Sequence, residues 1–167
     1  MIALKIYKIL SYILLPFAAL FSLFALFALF VALANPIMFL PLFLLICVVL
    51  YVFSSFQFYQ KAIVHTKSCK PFLRDFINVN AIVSIFFAAS AIIQFIQIKT
   101  NPSIIQKTFQ QAIEIQQPKA PADVLPMMEM VMNTTLYIML FFAIVLLTHI
   151  VFTFRFMKLF KHTFNAH

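Results

Sequence analysis

Glycine is missing from this 167-residue chain, and so is tryptophan. The first absence excludes whole classes of chemistry. The phosphate loop of nucleotide hydrolases, the dinucleotide-binding turn and the nucleophile elbow all bring the backbone where a Cβ would clash, so each needs Gly. The Gly-based pairing motif of membrane helices goes with them, and close helix approach must rely on Ala and Ser. Charge is scarce as well: 10% of residues are charged, only four of them acidic, where a soluble domain carries about 25%. Cys47 and Cys69 are the two cysteines, with no CxxC, so no disulfide is expected.

Apolar residues fill the chain instead, at 65%, with 23 Phe. No charge interrupts the sequence between Lys8 and Lys61, between Asp75 and Lys99, or between Glu129 and Arg155. About 20 apolar residues cross a bilayer as a helix. The first run has room for two crossings and the others for one each. The expected fold is therefore an all-α membrane protein, a four-transmembrane-helix antiparallel bundle forming one integral domain over residues 1–167.

The N-terminal stretch resembles a signal peptide, with Lys5 and Lys8 before an apolar run and Ala32-Leu33-Ala34 as a cleavage-like site. The run is too long for a signal core, so a retained helix 1 is expected over about residues 9–33, bent near Pro16. Asn35-Pro36 breaks it. Helix 2 follows over about 37–59 with Pro41 near its start, and the short link forces a hairpin. A basic loop is expected over about 60–74 and helix 3 over about 75–98. An outer-side segment and linker cover about 99–126. There Asn101-Pro102 reads as a helix start, and Ile104, Ile105, Phe109, Ala112 and Ile113 mark a short amphipathic helix between helices 3 and 4. Helix 4 is expected over about 127–156, with a basic tail at 157–167.

The net charge of +8 is first a topology signal. Lys5, Lys8, Lys61, Lys67, Lys70, Arg74, Arg155, Lys158 and Lys161, nine of the twelve basic residues, fall on one side of a four-pass layout. Basic residues collect on the cytoplasmic side of short loops, so both termini are expected in the cytoplasm, in the plasma (inner) membrane of a bacterium. The expected partners are the bilayer itself, anionic lipid headgroups at the basic loop and tail, and another membrane protein or a second copy of the chain. For the tail, a simple extension of helix 4 that snorkels at the interface competes with lipid recognition. Nucleic acid is not expected, because no large solvated basic face is available.

His149 is the one histidine inside an apolar span. It lies six residues from Arg155, roughly 9 Å along a helix, and Asn80 lies at matching depth from Arg74. Ser54, Ser55 and Gln57 on helix 2 and Ser11 and Tyr12 on helix 1 fall near the same level, with Ser84 one turn deeper on helix 3. One reading is an ion or proton site in which His149 titrates. The other is a neutral ring donating to Asn80 or a serine and holding helices in register. The absence of any Asp or Glu at that depth favours the second. Haem needs two facing histidines, and His65, His162 and His167 lie outside the spans.

Met127, Met128, Met130 and Met132 cluster at the outer end of helix 4. Thioethers bind Cu(I), yet Met also packs adaptably, and no outer His or Cys joins the set. His65 and Cys69 alone do not make a zinc site. Ala18, Ser22 and Ala25 on helix 1 and Ser84, Ala88 and Ala91 on helix 3 form small-residue seams for helix contact. No catalytic constellation and no cofactor motif is present, so no enzyme is expected.

The stretch KSCKPFLRDFINVNAIVSIFF, residues 67–87, together with the four-span layout, resembles small four-pass inner-membrane proteins of bacteria. That resemblance implies fold and placement and carries over no functional residue. Four-pass multidrug exporters carry a Glu in their first helix and four-pass disulfide-forming enzymes a CxxC; this chain has neither. The expected role is a non-catalytic accessory, structural or regulatory subunit acting through helix packing. The alternatives are a small transporter or channel component using the polar layer around Asn80 and His149, and outer-side Cu(I) handling by the methionines.

Overall fold

The computed structural model describes residues 2–101 and 124–164. All regular structure among them is helical, and four helices are long and apolar enough to cross a membrane. They are α1 (Ile2–Ala34), α2 (Phe39–Phe58), α3 (Pro71–Thr100) and α4 (Val124–Leu159). The amphipathic helix expected at 102–115 lies outside the described residues, as does the linker up to residue 123.

Three of the helices, α1, α3 and α4, run past the boundaries that hydropathy suggests. α1 starts at Ile2 rather than near residue 9, because Lys5 and Lys8 are good helix formers whose exposed stems extend away from the apolar face. It continues through Pro16 to Ala34. The Asn35-Pro36 break is a single 3-10 turn, Pro36–Met38, capped by the Asn35 side chain, which accepts from the Ile37 N–H at 3.2 Å. Asn35 is extended, as a residue before proline must be. At the other end, α2 passes into a π-helical turn, Tyr59–Val64, so the basic loop shrinks to residues 65–70 before Pro71 opens α3.

That loop folds back on the end of α2. His65 N–H bonds the Gln60 carbonyl at 3.1 Å and Lys67 N–H bonds the Lys61 carbonyl at 2.8 Å. Thr66 turns the chain with φ of 50°, a left-handed conformation that a β-branched residue adopts at a cost of about 1–3 kcal/mol. Glycine, which adopts this conformation without strain, is absent from the chain. The Cys69 N–H then bonds the Thr163 carbonyl at 2.8 Å, tying the loop to the 3-10 turn Lys161–Phe164 that follows α4. Phe164 stacks on Phe58 with centroids 5.6 Å apart.

The chain forms two compact units. The larger comprises Met1–Ala88 and Ile144–His167. In it α1 buries one narrow line, Tyr7, Ser11, Leu14 and Ala18, at the four-three spacing of a helix seam. α1 and α2 run in opposite directions, with Tyr12 beside Phe56 and Tyr7 beside Tyr59. α2 is buried on most of its circumference, from Cys47 to Phe58. α3 buries Ile77, Ala81, Ser84 and Ala88, and α4 buries His149, Ile150, Thr153 and Phe156. The outward faces carry Phe24, Phe27, Phe30, Phe86 and Val151 in the open. So large an apolar exterior needs a lipid solvent. In the expected seams, Ala18, Ser84 and Ala88 are fully buried, whereas Ser22, Ala25 and Ala91 are half-buried.

The smaller unit is Ala89–Ala143. In it Lys99, in the last turn of α3, donates to Asn133 Oδ1 at 3.2 Å and lies 4.7 Å from the Tyr137 ring centre. Phe95 meets Tyr137 edge-on at 5.5 Å. A cation in the last helical turn also answers the negative end of the helix dipole.

Ser84 leaves no room for a larger side chain. Ser84→Leu should lower stability by about 1–3 kcal/mol through overpacking, read by thermal unfolding in detergent, while Phe86→Leu on the exposed face of the same helix should change it by less than about 0.5 kcal/mol.

Cys69 gives a second test. Burial pushes its thiol up from the ordinary range, opposed by the Lys61 ammonium. A raised thiol stays protonated to higher pH, and only the thiolate reacts. In a Cys47→Ala background, maleimide should label Cys69 more slowly at about pH 8 than an exposed cysteine peptide, with the rate still climbing above about pH 9. A rate already level by pH 8 would contradict this.

Candidate functional site

His149 is 1% exposed and every polar edge of its ring is engaged. Nε2 lies 2.9 Å from Ser11 Oγ, and Nδ1 lies 2.8 Å from Tyr51 Oη. Ser11 Oγ also lies 2.8 Å from the Tyr7 carbonyl. A neutral ring donates through one nitrogen and accepts through the other, and a serine or tyrosine hydroxyl can fill either role.

The walls of the site are aromatic. Tyr7 stacks on the imidazole, with centroids 4.8 Å apart and planes 15° from parallel, and Tyr51 meets it edge-on at 5.7 Å. Thr153, one turn beyond His149 on α4, donates to the His149 carbonyl at 2.9 Å. Its oxygen also lies 2.9 Å from Tyr51 Oη and 3.2 Å from Tyr7 Oη. One cluster of five residues thus links α1, α2 and α4 at a single level. Among the described residues no buried side-chain N or O lacks a partner.

The cluster differs from the layer that depth alone suggests. Asn80 is buried, but its amide donates to the Phe76 carbonyl of its own helix at 2.8 Å, not to His149. Ser84 likewise bonds back to the Asn80 carbonyl at 2.7 Å. Ser54 and Ser55 bond to carbonyls of α2 itself, at 2.6 Å to Leu50 and 3.0 Å to Val52. Gln57 is exposed, and Tyr12 is half exposed beside Phe56 rather than in the cluster. A serine does meet the imidazole, and it is Ser11. Tyr7, Tyr51 and Thr153 are the members that hydropathy missed. Their signal is the i,i+4 spacing of Tyr7 with Ser11 and of His149 with Thr153, which puts each pair on one helix face.

No hydrogen bond brings a carboxylate into the cluster among the described residues. Asp75 sits at the surface, where it accepts from Arg74 Nε at 3.1 Å. No group of three His, Cys, Asp or Glu capable of holding a metal exists among the described residues. Of the methionines, Met127 and Met130 are exposed and Met132 half-buried, and the Met128 side chain lies outside the described set. Cys47 and Cys69 are buried free thiols.

No protein-family model, no curated protein and no solved structure matches the chain.

The cluster predicts an order of damage. His149→Ala removes a ring packed on two sides together with its bonds to Ser11 and Tyr51, so it should cost about 3 kcal/mol. Tyr51→Phe removes the bonds to His149 and Thr153 but keeps the ring, so about 1 kcal/mol is expected. Unfolding in detergent of the two single variants and the double variant checks this. The double should cost less than the sum of the singles, because both changes break the same bond.

Proposed function

We propose that the chain is a non-catalytic multi-pass protein of a bacterial plasma membrane, an accessory or structural subunit acting through helix packing. In this reading the four helices form an antiparallel bundle with both termini in the cytoplasm. The observation that carries it is the closed hydrogen bonding of His149. Both ring nitrogens are used within the protein, by Ser11 and Tyr51. A site that binds and releases an ion or proton needs a group left open to it, or a carboxylate to pass charge along. The cluster is instead suited to fixing the relative depth of three helices. The orientation of Asn80 toward its own helix weighs against a transport path built from Asn80 and His149.

The working surface in this reading is the apolar exterior, where Phe27, Phe30 and Phe86 are more than 60% exposed. Against lipid alone such faces are at rest, and a second membrane helix can dock there by dispersion and shape. Native mass spectrometry of the tagged chain, extracted from its native membrane in mild detergent, tests the proposal. A stoichiometric second protein is expected. A lone monomer or a clean homo-oligomer overturns the accessory role.

A further inference from the structure

One large concavity lies apart from the His149 cluster. It is a groove of about 1010 Å³ between α2 and the start of α3, closed at one end by the folded-back loop. Its polarity is graded. Leu50 and Phe53 line it on α2 and Phe76 on α3, and then Gln57 leads on to Lys61 and Lys70 at the loop end. From Leu50 to Lys61 is about 16 Å along the helix axis.

The charged end is a built structure. Lys61 lies in the π-helical turn, whose carbonyl holds the Lys67 N–H, and the next segment is held to Thr163 through the Cys69 N–H. Lys61 and Cys69 both line the groove. Among the described residues no carboxylate lines the groove beside its two ammonium groups. Asp75, the acid of this region, is paired with Arg74. Both lysines are exposed at the rim of this apolar slot, and two like charges on one rim attract an external anion.

The geometry points to an anionic phospholipid as the occupant. Its phosphate would pair with Lys61 and Lys70, and an acyl chain would lie along Leu50, Phe53 and Phe76. A free phosphate would leave the apolar length of the groove unfilled, and a neutral lipid would leave the lysines unanswered. This inference rests on the membrane reading of the chain but not on its role as an accessory subunit.

Native mass spectrometry of the full chain in detergent tests it, with phosphatidylglycerol or phosphatidylcholine of equal acyl length titrated in. Phosphatidylglycerol should bind the tighter of the two. Lys61→Gln plus Lys70→Gln should weaken it about thirtyfold, to the level of phosphatidylcholine. Lys5→Gln plus Lys8→Gln, which removes the same charge elsewhere, should leave it unchanged. Lys61→Arg plus Lys70→Arg should retain binding, which separates loss of charge from loss of fold. Equal binding of the two lipids, or equal weakening by both glutamine pairs, overturns the site. Displacement of the lipid by glycerol phosphate at matching concentration overturns the lipid in favour of a soluble phosphate.

Discussion

A polar group inside a membrane protein must find its partner within the protein, and that constraint organises the larger unit around His149. An unpaired imidazole among apolar side chains would cost several kcal/mol. Here Ser11 and Tyr51 each bond one ring nitrogen, and Tyr7 covers the ring. Because the partners come from α1 and α2 while the ring belongs to α4, the bonds can form only at one relative height of the three helices. A slide of one residue, about 1.5 Å, would break contacts already at 2.8 and 2.9 Å. Apolar side chains in lipid provide little such discrimination, since a Leu loses almost nothing by moving from a neighbour to an acyl chain.

The lack of glycine runs through the same structure. Helix approach depends on Ala18, Ala81, Ser84 and Ala88, all fully buried. Serines return their hydroxyls to carbonyls of their own helices, so they serve as small residues more than as links between helices. At the tight reversal after α2, Thr66 takes the left-handed conformation. The strain sits in the loop that closes the lysine end of the groove, and the bonds of Lys67 and Cys69 hold it there.

Four long helices, their order and the short α1–α2 link were legible from hydropathy and from Asn35-Pro36, because each depends on local properties: apolar length, and the conformations a proline permits. Of the small residues at helical spacing, Ala18, Ser84 and Ala88 are buried, while Ser22, Ala25 and Ala91 are half-buried. The helix α1 begins seven residues before its hydrophobic run, because charged residues end a hydrophobic run without ending a helix. The partners of His149 were only partly legible. Depth pointed to Ser11 but equally to Asn80, Gln57 and Tyr12.

What the sequence alone determined is the class of object: a helical chain whose exterior must be solvated by lipid, with no room for glycine-dependent chemistry. Tertiary structure decided which polar groups meet. Depth along a helix is set by residue number, but facing is set by rotation about the axis, and rotation depends on how all the neighbours pack. Asn80 and Tyr51 both lie near the level of His149, yet only Tyr51 is turned toward it. For the same reason Lys61 and Lys70, nine positions apart, come to share one groove only once the π turn and the loop have folded.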